Sequence, residues 1–208
     1  MTENSDSHYN YSSSKLGHTH EYLHGAVMLV LQKVKPRSIF ELGCGNGSTA
    51  NEISKHFEIT GIDYSDSGIM EANKAFPHLT LNVGSAYDDL ATQYGQFDVV
   101  LSLEVVEHLF EPRVYAKRVY ELLNPGGIAI ISTPYHSYLK NIALAISGKM
   151  DAHFTALWDG GHIKFWSRGT LRTLMSEAGF VEKGFRRVGR IPPLAKSMIA
   201  TYHRPIKN

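Results

Sequence analysis

Between Ser38 and Ser48 a short β-rich run passes straight into glycines at every second position, Ile39-Phe-Glu-Leu-Gly-Cys-Gly-Asn-Gly47, and then into a stretch with helical spacing. No other segment constrains the fold as much. Glycines there let the backbone turn sharply and come against a ligand that a Cβ would repel. In open α/β sheets such a loop lies at the carboxyl end of the first strand, where ligands bind. The rest of the chain keeps a matching rhythm. Leu23, Val27, Val30 and Leu31 form a helical stripe over Thr19–Gln32, which Pro36 stops. Strands are expected over Ser38–Leu42, Glu58–Asp63, Leu79–Val83, Phe97–Leu103 and Ile128–Ser132. Helices are expected over Ser48–Phe57, from a Ser65 or Asp66 cap to Ala75, and over Pro112–Leu123, with Asn124-Pro-Gly-Gly127 as a turn.

A helix over Arg168–Ala178 and strands over Phe180–Arg190 and Ser197–His203 complete the reading. Pro192-Pro193 leaves too short a gap for a crossover helix, so the last two strands are expected to pair antiparallel. Strands alternating with helices give an α/β fold, a doubly wound and mainly parallel seven-stranded sheet, Rossmann-like in its alternation. Residues 1–36 form an expected arm and helix, the first fifteen residues being a loose polar arm. Residues 37–208 form the main domain, with 135–166 inserted after the fifth strand as a lid.

The chain has 208 residues, enough for one core without staples. Its single cysteine, Cys44, excludes a disulfide framework and points to a reducing, cytoplasmic setting. With 21 basic and 20 acidic residues, the overall balance gives no basic surface for nucleic acid. Seven of the basic residues fall in Lys183–Asn208 with no acid among them, a weak signal for an anionic partner beside the blander reading of a solvated edge.

The glycine loop excludes two common ligands. A phosphate-cradling loop ends in Gly-Lys-Ser/Thr, and Gly47-Ser48-Thr49 lacks the lysine. A dinucleotide fingerprint needs G-x-G-x-x-G/A, and Ser48 occupies its last position. Glu41 would repel a pyrophosphate but can hold an ammonium, and Asp63 ends the next strand where a carboxylate accepts ribose hydroxyls. An amino acid end and a ribose together describe S-adenosylmethionine.

Glu41-Leu-Gly-Cys-Gly-Asn-Gly47, Gly61-Ile-Asp-Tyr-Ser65, Phe97-Asp-Val-Val100, Glu104-Val-Val-Glu-His108 and Leu123-Asn-Pro-Gly-Gly127 resemble, in order, the motifs of class I S-adenosylmethionine-dependent methyltransferases. Glu104-x-x-Glu107-His108, Ser132-Thr133-Pro134 and Gly161-His162-Ile-Lys-Phe165 resemble the O-methyltransferases of ubiquinone biosynthesis. The resemblance implies that Gly43, Cys44 and Gly45 pass under the methionine part, with Glu41 near its amino group. It puts Asp63 on the ribose, Tyr64 beside the adenine, Ser85 and Ala86 at the adenine edge, and Leu103 and Glu104 near the sulfonium. Many relatives have Asp at the Ser85 position, so that contact is weakened here. Cys44 reads as a small loop residue, since nothing beside it would lower its pKa.

Methyl transfer to a hydroxyl needs alignment and a base, and His108 and His162 are the candidates. If Glu104–His108 begins a helix, Glu104, Glu107 and His108 share one face and can hold a divalent ion. Glu107 and His108 can equally orient the donor loop without metal, so no metal ligand is assigned. The aromatic 135–166 stretch, with a short helix over Leu139–Ile146, suits a small flat or greasy acceptor. In the ubiquinone enzymes the corresponding region meets the membrane, so weak membrane-surface contact is expected. The rival readings are a metal-assisted RNA 2′-O-methyltransferase, disfavoured by the charge, a nicotinamide oxidoreductase, disfavoured by Glu41 and the loop spacing, and a non-catalytic S-adenosylmethionine-binding protein.

Overall fold

The computed structural model describes residues 18–206. The polar arm expected over the first fifteen residues lies outside that range. Seven strands form one sheet: β1 (Ser38–Leu42), β2 (Glu58–Asp63), β3 (Thr80–Val83), β4 (Phe97–Leu103), β5 (Leu123–Pro134), β6 (Val181–Val188) and β7 (Ser197–His203). Their spatial order is β3-β2-β1-β4-β5-β7-β6. The first five are parallel, and β7 runs antiparallel to both β5 and β6. The expected sheet and its antiparallel final pair are both present.

Successive strand residues feed opposite faces, as a sheet covered on both sides requires. Val99 and Leu101 join one core with Ile39, Ala50, Ile53 and the stripe Leu23, Val27 and Leu31 of α1 (His18–Val34). Val100, Phe40 and Ile131 join the other with Tyr115, Ala116, Val119 and Leu122 of α5 (Pro112–Leu122) and Leu171, Leu174 and Met175 of α8 (Arg168–Glu177). Pro112 opens α5 at a position whose N–H would have no helical partner anyway.

Several boundaries differ from the sequence reading for local reasons. The helix α2 (Ser48–Ser54) stops before Phe57, because the amides of His56 and Phe57 both fold back onto Ile53 O. The helix α3 (Asp66–Ala75) starts as expected, with Ser65 Oγ accepting the Gly68 N–H at 3.1 Å. Asn124–Gly127 is absorbed into β5 as a bulge, Phe97 pairing with Leu123 and Val99 with Ile128. Gly126 takes φ +88° there and its N–H donates to Arg204 O at 2.9 Å, so the turn signal marks a kink that β7 completes. Two short helices carry no readable period: α4 (Leu90–Tyr94) and α7 (Met150–Phe154). Between β5 and α8, α6 (Tyr138–Ile146) and α7 form the insertion. No described helix is long and apolar enough to cross a membrane.

Candidate active site

The first half of the site is the loop from β1 to α2. Gly43, Gly45 and Gly47 all have positive φ, at 86°, 55° and 74°. A Cβ at Gly43 would overlap the Val105 side chain, and one at Gly47 would lie 2.8 Å from Leu81 and 2.9 Å from Ala72. The amides of Gly43 and Cys44 donate to Ile62 O at 2.8 and 2.9 Å. The Gly45 amide donates to Asp63 Oδ2 at 2.7 Å, and Asp63 Oδ1 accepts the Ser65 N–H at 2.8 Å. Asp63 therefore fastens the loop to the end of β2 while retaining acceptor capacity on both oxygens. Burial raises its carboxyl, and the N–H groups of Ser65, Gly45 and Tyr64 oppose the rise.

Glu41 is the anomaly of this edge. It is 1% exposed and neither carboxyl oxygen has a hydrogen-bond partner. Burial first, and then the Asp63 charge, push its pKa up to about 8. A buried acid without a partner is costly, and a cation beside it would remove the cost. Tyr64, in contrast, is 77% exposed, which excludes a packing role in the core. Cys44 is buried and its thiol is raised by burial and by Glu41, the opposite of what a nucleophile needs. The Ser85 hydroxyl accepts the Tyr87 N–H at 3.2 Å and so is engaged in its own turn, while Ala86 packs on the core.

At the end of β4, after the buried Leu103, the structure departs from expectation. Glu104 does not begin a helix. Its φ is +56°, and only a 3-10 turn, Val106–His108, follows. The reason is its hydrogen bonding: the Glu104 N–H donates to both Ser132 O and Oγ at 3.1 Å. Its carboxylate accepts Ser132 Oγ at 2.7 Å and Ser197 Oγ at 3.1 Å. Tyr22 OH lies 3.0 Å from the same Ser197 Oγ, which links α1 to this acid. Burial lifts the Glu104 pKa to about 7 against the pull of both serines and Lys140. Glu104 thus turns toward β5 and β7, and the shared face with Glu107 and His108 does not form.

His162 takes its place. Ligand atoms of Glu107, His108 and His162 lie within 4.8 Å of one another, and the two imidazole rings sit 4.9 Å apart. The insertion is stitched there by backbone: the N–H groups of Ile163 and Lys164 both donate to Glu107 O at 3.0 Å. Trp166 Nε1–H donates to Val106 O at 3.3 Å. His108 Nδ1–H donates to Gly160 O at 3.0 Å, a bond that leaves its Nε2 as the acceptor. Glu107 is buried beside the Thr133 hydroxyl, and His162 Nε2 lies 3.9 Å from Oε1. Burial and then the Glu104 charge raise Glu107 well above the usual carboxylate range. Burial lowers His108 and, together with His108, takes His162 down to about 4.

A cavity of about 500 Å³ opens beside His162, lined by His136, Asn141, Phe154, Ala156, His162 and Phe165. His136 and Asn141 were not legible as site residues. They lie five residues apart at the start of the insertion, and only the density of histidine and aromatic residues there hinted at them.

The methyltransferase-domain family matches residues 16–181 of the chain. A ubiquinone biosynthesis O-methyltransferase of Azorhizobium caulinodans is 33% identical over 159 residues, covering 72% of this chain and 61% of that protein. The corresponding protein of Ruegeria pomeroyi is 32% identical over 158 residues, covering 71% and 62%. The chain therefore spans about three fifths of the length of these relatives. Among solved structures, magnesium protoporphyrin IX methyltransferase from Synechocystis, with S-adenosylhomocysteine bound, superposes with a TM-score of 0.69 at 17% identity, covering 93% of this chain and 90% of that one. A bacterial Hen1 methyltransferase domain gives 0.66 at 24% identity, covering 87% and 97%. At such identities the structural likeness speaks for the fold alone.

Proposed function

This chain belongs to the family of S-adenosylmethionine-dependent methyltransferases, and from that premise we propose that it methylates an oxygen of a small phenolic or lipid-like acceptor. The observation that carries this reading is the meeting of Glu107, His108 and His162 beside the aromatic cavity. Bound S-adenosylmethionine supplies a methyl group already activated on a sulfonium. The unpartnered, buried Glu41 fits its ammonium, and Asp63 has acceptor capacity left for the ribose hydroxyls. Exposed Tyr64 would cover the adenine, with Ser85 and Ala86 at its edge, Gly43–Gly45 beneath the methionine part, and Leu103 and Glu104 bordering the sulfur. Alignment of this kind is worth about 7–11 kcal/mol of barrier.

The acceptor must also lose its proton. Both histidines are neutral at pH 7, since burial holds them below their ordinary value. An imidazole near 4 is a weak base for a phenol, so His162 alone contributes little. The cluster supports a second contribution. One carboxylate and two imidazoles form a donor set suited to a divalent ion such as Mn²⁺ or Zn²⁺. Such an ion would be held by Glu107, His108 and His162 and would lower the pKa of a bound phenol. Exposed Tyr138, Leu139, Ile146 and Leu157 on the insertion support weak contact with a lipid surface during acceptor capture.

The test is turnover of simple catechols with S-adenosylmethionine, before and after chelation and with Mn²⁺ restored. Methylation that chelation abolishes and Mn²⁺ recovers supports the ion; methylation indifferent to chelation removes the ion from the reading. Binding of S-adenosylhomocysteine with no methylation of any hydroxyl compound tried would turn the reading to a donor-binding protein without transfer.

A further inference from the structure

A second hollow, of about 280 Å³, lies against α6. Lys140, His153, Arg190 and Lys196 line it together with apolar Leu144 and Leu194, and no acidic side chain does. Lys140 is 9% exposed, and its Nζ donates to Tyr135 O at 2.9 Å and Ala195 O at 3.2 Å. Those bonds fix the ammonium in place and leave one N–H of three. Burial and the neighbouring Arg190 both weigh against the Lys140 charge, with Glu104 opposing them. Glu104 is itself engaged by Ser132 and Ser197. Two cations drawn together over an apolar floor cost free energy that an anion between them would return.

Neighbouring residues of α7 line the two hollows. His153 lines one and its neighbour Phe154 the other, and the His136 and His153 rings are 5.5 Å apart between them. On the aromatic side His136 is 7% exposed, and the Asn141 side chain beside it partly offsets the lowering of its pKa by burial. Phe154 and Phe165 offer ring faces 4.8 Å apart at an 81° tilt. A ligand with a hydroxylated ring against Phe154 and Phe165 and an acidic group toward Lys140 and Arg190 matches the two linings together.

We propose that the hollow against α6 is an anion subsite of the acceptor pocket: the acceptor carries a carboxylate, held by Lys140 and Arg190, with its linker against Leu144 and Leu194. The subsite deepens the methyl-transfer reading and rests on it for the identity of the ring-binding end. The carboxylate preference itself is a binding property and is measured without turnover.

The experiment compares 3,4-dihydroxyphenylacetate with 3,4-dihydroxyphenylethanol, which share ring and length but differ in charge. Calorimetric affinities are measured for both with S-adenosylhomocysteine saturating. The acid is expected to bind about tenfold tighter, the scale of a charge-assisted contact. Arg190→Ala and Lys140→Met should each remove most of that preference, and Arg190→Glu should reverse it. Arg190 is exposed, so its variants test the subsite even if Lys140→Met fails to fold. Equal affinity for the two compounds in the wild type, or a preference that survives both Arg190 variants, overturns the proposal. It is equally overturned if Arg190→Ala spares the preference but abolishes cosedimentation with phosphatidylglycerol vesicles, since the cations then serve a lipid-facing surface. Failure to methylate either compound counts against the functional reading, while the affinities decide the subsite.

Discussion

The donor edge and the insertion are built on opposite principles. Around Gly43–Gly47 nearly every group is committed: amides to Ile62 O and Asp63, glycines to places where a side chain would collide. The main exception is Glu41, unsatisfied and buried. The insertion carries two short helices, a glycine, Gly148, with open space around it, and Leu157 at 99% exposure. In the proposed reading, a donor that never changes favours a fixed, crowded cradle, whereas acceptor choice favours a cover that can vary without disturbing the sheet. The two halves touch at the turn Val106–His108, to which Ile163, Lys164 and Trp166 are hydrogen-bonded.

The contrast can be broken most decisively at that junction. Glu107→Gln and His162→Ala should each lower methyl transfer about 10²–10⁴-fold, the range of a lost acid–base or electrostatic contact. S-adenosylhomocysteine affinity, followed by calorimetry, should stay within about twofold. A parallel loss of affinity would mean that donor and acceptor sides are not separable.

Glu41→Gln should weaken S-adenosylhomocysteine binding by about 10–100-fold, as expected for a charged partner lost in a buried site. The same change should stabilise the ligand-free protein. Folded Glu41 holds its proton to about pH 8 whereas the unfolded acid sheds it near 4.5, so wild-type stability is eroded as pH rises between those values. The melting-temperature advantage of Glu41→Gln should therefore grow from pH 5 to pH 8 and then level off. A flat difference across that range would show that Glu41 is ionised in the free protein.

Next in size is a paired glycine test. Gly43→Ala should cost about 1–3 kcal/mol from strain and overlap with Val105, lowering the melting temperature by several degrees. Gly148→Ala meets only the φ penalty, at most about 1–2 kcal/mol, and should cost less. Equal losses would erase the distinction between cradle and cover. Smallest of all, Leu157→Ser should change stability by no more than about 0.5 kcal/mol in a denaturant titration.

Legibility in the sequence follows the same division. β1, β2, β4 and β7 fall where their β-rich runs and flanking breakers put them, because a buried strand must be apolar along its length. The gathering of Glu41, Gly43, Gly45 and Asp63 at one edge of the sheet was readable because a single continuous loop and one strand end carry it. The acceptor side was not. Glu104, Glu107 and His108 have helical spacing, but the positive φ at Glu104 is set by Ser132, 28 residues away, and spacing cannot announce it. His162 joins Glu107 through backbone contacts across more than fifty residues, and the Lys140–Arg190 hollow draws on segments as distant. Motifs held within one turn are written locally; pockets assembled by an insertion are not.

The position of β7 has a consequence for how the molecule comes into being. It is made after the other six strands of this sheet, yet it lies in the interior, between β5 and β6. The edge strand β6 is made earlier and has no sheet neighbour until residues 197–203 arrive. The parallel half can assemble during synthesis, but closure waits for this segment, leaving the open flank of β5 exposed to wrong partners in the interval. A nascent chain of this kind is most at risk in the interval between the synthesis of β6 and that of β7.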